Sequence, residues 1–227
     1  ETQAYLGLGD AYRLDNQYRT AIQHYENALE IAREQGYKLE ETQAYLALGD
    51  AYRLDNQYQT AIQHYEKALE IAREQGYKLE ETQAYLGLGD AYRLDNQYET
   101  AIQHYEKGLE TARKRGYKLQ ETLAYIGLGD VCTLGSQNET AIKHYGKSLE
   151  ISREQGYEQQ EAVGYLLLGE CYRSSNKNEA AIEHFEKALE IVMKQGMEEI
   201  VNKQLSKFAE QLLISGRSYQ MKGQNKE

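Results

Sequence analysis

The sequence has no proline and no tryptophan, and only two phenylalanines and two cysteines among 227 residues. Without proline, another residue must stop each helix, and glycine, present 19 times, is the one available. The two cysteines, Cys132 and Cys171, are too few for a disulfide framework and point to a reducing, cytoplasmic setting. No apolar run approaches the ~20 residues that a membrane-spanning helix needs, and no signal-peptide pattern precedes Glu1. Basic residues are in deficit, with 26 Lys and Arg against 36 Asp and Glu, a net charge of -10 and a pI near 5.1. That balance argues against nucleic acid, whose phosphates call for Lys and Arg, and against an anionic membrane surface. It admits a basic peptide or protein as partner. The chain opens inside a repeated unit, which reads as a piece of a longer protein.

What the sequence has in abundance is repetition. The stretch from Leu6 to Glu40 returns nearly unchanged from Leu46 and again from Leu86. The period is 40 residues, giving expected units 1–40, 41–80, 81–120, 121–160 and 161–200. A degraded sixth unit, 201–227, reads as a capping helix built on Leu205, Phe208, Ala209 and Leu212, followed by a frayed tail. Each unit reads as two helices. Ala4, Tyr5, Leu8, Ala11 and Tyr12 form one helical stripe; Tyr18, Ala21, Ile22, Tyr25, Ala28, Leu29 and Ala32 form the next. Asn16 is predicted to cap the second helix, with Glu99, Glu139 and Glu179 at capping-box distance in later units. Gly36 is predicted to stop that helix in a left-handed conformation, with Tyr37 folding back on it, and Gly76, Gly116, Gly156 and Gly196 repeat the stop.

Tyr5, Leu8-Gly9, Tyr12, Ala21, Tyr25 and Ala28 place small residues where two helices touch and large rings beside them. This pattern resembles the tetratricopeptide repeat (TPR) and covers all five units. HEAT and armadillo repeats have a similar period and remain the alternative; the Leu-Gly and Ala-Ala placement favours TPR. The 40-residue unit exceeds the usual length of about 34, adding about 9 Å if the extra residues are helical. Long units of this kind are similar to those of the spindle-orientation adaptor LGN/Pins and of kinesin light chains, most clearly over Glu99–Asp130. The resemblance implies an all-α fold, a right-handed superhelical solenoid of antiparallel helix pairs.

Opposite the core stripe of the first helix lie Gln3, Leu6, Asp10 and Arg13. The same face recurs as Gln43, Leu46, Asp50 and Arg53; as Gln83, Leu86, Asp90 and Arg93; as Ile126 and Asp130, with Thr133 in place of arginine; and as Leu166, Glu170 and Arg173. In the TPR family this face lines a concave peptide-binding groove, so the resemblance implies a non-catalytic protein–protein interaction scaffold. Two structural readings stand beside it: a surface Asp–Arg pair worth under ~1 kcal/mol, and a leucine packed on the neighbouring unit. TPRs that clamp a chaperone's C-terminal carboxylate carry Lys and Asn at these levels. Here Leu and Asp stand there, and aspartate would repel that carboxylate. LGN-like repeats carry Asn at the Asp10 level; Asp accepts only, which favours a ligand offering N–H donors or Lys and Arg side chains. Two further readings remain open: the regulatory arm of a larger enzyme, and a self-associating array joined through exposed Tyr5 and Leu8.

No catalytic, metal or cofactor site is expected. His24, His64, His104, His144 and His184 recur in step, but equivalent positions on packed helices lie roughly 8–10 Å apart, too far to share a metal ion. They read as boundary residues of the second helix. Cys132 and Cys171 read as small apolar side chains without a nucleophile's partner. The glycosylation triplet at Asn138 matters only in a secreted protein.

Overall fold

The computed structural model describes residues 1–194; the expected capping helix, the tail and Gly196 lie outside them. The described residues form ten α-helices: α1 Thr2–Leu14, α2 Tyr18–Gln35, α3 Lys38–Leu54, α4 Tyr58–Gln75, α5 Lys78–Leu94, α6 Tyr98–Arg115, α7 Lys118–Leu134, α8 Asn138–Gln155, α9 Glu158–Ser174 and α10 Asn178–Lys194. They pair antiparallel, and no strand occurs among the described residues. Ala, Leu and Glu are frequent in these segments and favour helix, and an apolar stripe gives each helix a face to bury.

The chain divides into two compact units, Glu1–Gly164 and Tyr165–Glu227. In the first, each helix packs on the next, and α1, α3, α5 and α7 also touch in series. One apolar cluster runs unbroken from α1 into α5. Contacts are therefore between neighbours, as in a quasi-one-dimensional array. Leu8 on α1 is 46% exposed, whereas its counterparts Leu48 and Leu88 are fully covered by the preceding helix pair.

Tyrosine sets the helix spacing. Tyr65 of α4 is fully buried, its ring held between Gly49 of α3 and Gly87 of α5. A Cβ added at Gly49 would stand 2.6 Å from the ring, and one at Gly87 only 2.4 Å. Tyr105 sits the same way between Gly89 and Gly127. In the second unit, Gly169 faces Phe185 instead.

The helix ends follow the sequence in one case and depart from it in the other. Gly36 closes α2 at φ 71°. Its N–H reaches the Arg33 carbonyl, and the Tyr37 N–H reaches Ala32, which is the Schellman pairing. Tyr37 itself stays exposed. Asn16 does not cap α2. It adopts φ 59° and closes α1 with the same pairing, Asn16 N–H to Arg13 and Gln17 N–H to Tyr12. Asn is among the few residues that enter the left-handed region readily, so it can do glycine's work here. The N-cap of α2 is Gln17, with no side-chain cap bond, and the Asn16 Oδ1 accepts from the Tyr18 hydroxyl at 2.8 Å. Glu99 and Glu139 then act only as acidic residues in a first turn, favoured by the helix dipole.

A second device spans the Gly turns. Glu41, Glu81 and Glu121 are buried despite their charge. Glu41 accepts from Lys38 at 2.7 Å and from Arg33 of the preceding helix at 3.4 Å; Glu81 and Glu121 repeat the pattern with Lys78 and Arg73, and with Lys118 and Arg113. Arg33 also donates to the Tyr45 hydroxyl. Each buried carboxylate thus carries two cations, the condition under which burying a charge is tolerated. In the fifth pair Glu158 replaces the lysine, and Glu161 keeps Arg153 alone at 3.7 Å.

Candidate functional site

The predicted face of the first helices is present on α3, α5 and α7, and most of it converges. Leu46, Asp50, Arg53, Gln83, Leu86 and Asp90 line one cavity of about 380 Å³. The beginning of α7 completes its wall with Leu119, Gln120 and Leu123, and Tyr65 and Gly87 lie at its base. Arg93 sits beyond the cavity, bridging Asp90 at 3.5 Å and Asp130 at 3.7 Å. Gln43, Ile126 and Asp130 do not line it. Leu166, Glu170 and Arg173 belong to the second unit, where Leu166 is buried and Arg173 pairs with Glu170 at 2.6 Å.

The aliphatic residues are less open than a lone hairpin implied. Leu46 packs half-buried on the core cluster. Leu86 is only 8% exposed. Gly108 of α6 makes room for it: a Cβ there would stand 2.9 Å from Leu86 Cδ2. In earlier pairs Ala28 and Ala68 hold that place. The open aliphatic side chain is Leu123, 40% exposed, which stands where the first three repeats have Gln3, Gln43 and Gln83 and the fifth has Val163. That exchange of amide for leucine was visible in the aligned repeats and marks the place.

The polar residues form a ladder tied to the core. Tyr65 donates its hydroxyl proton to Asp50 at 2.6 Å and accepts from Arg53 Nε at 3.3 Å. Tyr25 with Asp10 and Arg13, and Tyr105 with Asp90 and Arg93, repeat the arrangement. Burial first, then the Asp50 charge, pushes the Tyr65 phenol well up, so it stays a donor. Burial alone would weaken the Arg53 cation, but Tyr65, Asp90 and Asp50 more than offset it, and its pKa rises. The aspartates are thus partly engaged by their own protein, and what they present to a ligand is the remaining lone pairs.

On the opposite side of this packing, His64 stacks on Tyr52 at 5.1 Å with an interplanar angle of 7°. His24 and His104 stack likewise on Tyr12 and Tyr92. The Nδ1 atoms of His24, His64, His104 and His144 are buried without a protein partner. Burial, then Lys67 and Arg33, lowers His64 from 6.5 to about 4; burial, then Lys107 and Arg73, does the same to His104. The folded state therefore disfavours the imidazolium that the unfolded chain forms below pH 6.5. Stability contributed by these rings is intact above about pH 6.5 and is lost as pH falls through 4. The urea midpoint is expected to drop between pH 7 and 4.5, and to drop less in the double variant His64→Phe/His104→Phe, which keeps the stacking and removes the titration. An equal drop in both proteins would exclude the histidines as its source.

Among the described residues no three His, Cys, Asp or Glu side chains converge as metal ligands, and no helix is long and apolar enough to cross a membrane. Cys171 is buried, and burial pushes the Cys132 thiol up, away from thiolate chemistry.

The tetratricopeptide repeat profile matches residues 1–74, 42–114 and 119–194. Comparison with curated proteins finds no match. Among solved structures, the chain is similar to aspartyl phosphate phosphatase F from Bacillus subtilis, at 20% identity and TM-score 0.81, covering 95% of this chain and 56% of that one. It is similar to a Rap protein complexed with competence and sporulation factor, at 18% identity and TM-score 0.80, covering 88% and 56%. A putative kinesin light chain from Podosopora anserina with nearly identical TPR-like repeats matches at 16% identity and TM-score 0.65, covering 85% and 95%. At these identities the likeness establishes the fold alone, and this chain spans little more than half of the first two structures.

Proposed function

The chain belongs to the tetratricopeptide repeat family, and from that premise we propose that it is a non-catalytic scaffold binding a peptide or helical segment of a partner protein along α3, α5 and α7. The observation that carries this reading is the cavity of about 380 Å³. Its walls are aliphatic, its rim holds fixed charges, and Leu123 stands open in it. Such a surface offers an apolar anchor site flanked by groups that orient a chain, the usual division of labour in a binding cleft. The acidic ladder and the net charge of -10 favour a basic segment. Leu166, Glu170 and Arg173 repeat the same side-chain order within the second unit, and we propose them as a binding face of that unit taken by itself. A second reading is the sensor or regulatory arm of a larger multidomain enzyme; the structures of similar fold include an aspartyl phosphate phosphatase, of which this chain spans 56%.

The test is a displayed library of short peptides selected on this chain. Selected peptides are expected to lose at least about tenfold in affinity for Leu123→Glu, the effect of placing a charge against an apolar anchor. Gln63→Glu, an exposed change on α4, should leave binding unchanged. Because Leu123 is exposed, the variant should melt like the parent. Peptides that bind both variants alike would remove this cleft as the binding surface.

A further inference from the structure

The polar ladder is regular in three helix pairs and broken in the fourth. Arg13, Arg53 and Arg93 each lie 3.3–3.5 Å from the aspartate three residues before them. Arg93 reaches forward as well, to Asp130. Asp90 is thus flanked by its own Arg93 and feels Arg53 behind it, whereas Asp130 has only the arginine behind it. Thr133 stands where its own arginine would be. The Thr133 hydroxyl turns to its own backbone, donating to the Gly129 carbonyl at 2.9 Å, and lies 3.2 Å from the Tyr145 hydroxyl. A hydroxyl carries no charge, so position 133 brings Asp130 no cation.

The shortage falls on the most sheltered of the four aspartates. Side-chain exposure declines from 55% at Asp10 through 44% at Asp50 and 34% at Asp90 to 23% at Asp130. Burial pushes Asp130 up, although Arg93 and the Tyr145 hydroxyl both pull it down. The site that most needs a second cation is the one where the sequence withholds it. In the other three pairs the cation is a guanidinium that meets two oxygens at once, the carboxylate and the phenol of the facing tyrosine. A planar fork with several donors does this; an ammonium, a single point charge, does it poorly. Ile126 and Leu123 precede Asp130 on the same face of α7 by one and two turns.

Building on the scaffold reading above, we propose that Asp130 is the subsite for an arginine side chain of the bound segment, which takes the place that Arg13, Arg53 and Arg93 fill within the chain in the other pairs. The ligand class is therefore an arginine-bearing segment with an aliphatic residue near the arginine.

The probes are two pools of dye-labelled, N-acetylated and C-amidated nonapeptides, randomised over Leu, Ile, Ala, Ser and Gln. One pool has arginine fixed at the centre; the other has citrulline, its uncharged isostere. Anisotropy titration is expected to show the arginine pool binding about tenfold tighter. The preference should vanish in Asp130→Asn and in Thr133→Arg, where an internal guanidinium occupies the subsite. Thr133→Arg is also expected to raise the melting temperature without any ligand. Equal binding of the two pools overturns the arginine assignment and leaves the scaffold reading standing, provided Leu123→Glu weakens both. Binding indifferent to Leu123→Glu, or absent altogether, overturns both. An arginine preference that survives Asp130→Asn, or a lower melting temperature in Thr133→Arg, overturns the subsite alone.

Discussion

Tyr65→Ala is expected to lower the unfolding free energy by about 3–5 kcal/mol, the range for truncating a buried aromatic ring. Two features place it at the upper end. The ring lies between Gly49 and Gly87, so the residues facing the new cavity have no side chains to move into it, and collapse requires α3, α4 and α5 to shift as bodies. The substitution also removes the hydroxyl that Asp50 and Arg53 share. Tyr65→Phe separates the two effects. It keeps the ring, leaves Asp50 beside Arg53 and partly in water, and should forfeit only about 1 kcal/mol. Equilibrium urea unfolding measures both, and because the array is stabilised by nearest-neighbour interfaces, hydrogen exchange should place the weakened protection in α3 to α5. A loss for Tyr65→Ala no larger than that for Tyr65→Phe would mean that the ring does not set the helix spacing.

The sequence made some of this legible and hid the rest for identifiable reasons. Helix number, pairing and the Gly36 stop follow from periodicity and from glycine's conformational freedom, which are properties of short stretches. Asn16 departs from the predicted cap because Asn favours two neighbouring roles, helix N-cap and left-handed C-cap, and only backbone geometry separates them; φ 59° and the bond from Gln17 to Tyr12 decide for the latter. The Glu41 clamp went unread because Arg33 and Glu41 are eight residues apart across a turn and look like surface charges on two different helices. The face carrying Asp50, Arg53, Asp90 and Arg93 was found by helical phase alone. Phase could not say that Leu86 would sink beside Gly108, or that the aspartates would be engaged by buried tyrosines, since both depend on residues about 15–22 positions away. Leu119 and Leu123 lay within reach: they precede Ile126 on the same face of α7, and leucine at 123 departs from the Gln3, Gln43 and Gln83 of the first three repeats, as Val163 does in the fifth.

Gly89→Val is expected to destabilise the protein by about 3 kcal/mol, the upper part of the overpacking range. A Cβ at this position meets Tyr105 Cδ1 and Cε1 at 2.6 Å. Gly127 of α7 crowds the same ring, a Cβ there lying 2.3 Å from Cε1, which leaves the ring little room to step aside. Replacing glycine within a helix returns only about 0.5 kcal/mol of backbone propensity when the new residue is β-branched, which does not offset the clash. The repeats themselves show which side of the ring is less strict. Glycine stands at 9, 49, 89, 129 and 169 in every unit, whereas the position on the other side of the ring reads Gly87 and Gly127 but Ala47. One methyl against Tyr25 is therefore tolerated from the following helix, and Gly127→Ala should shift stability by less than about 1 kcal/mol. Gly146→Ala provides the control: no atom lies within 4 Å of its Cβ position, so it should gain up to about 1 kcal/mol from propensity. Urea midpoints ordered Gly146→Ala, parent, Gly127→Ala, Gly89→Val are the expected series. A Gly89→Val protein as stable as its parent would show that the ring is free to move, and with it the fixed interhelical distance on which the cleft between α3, α5 and α7 depends.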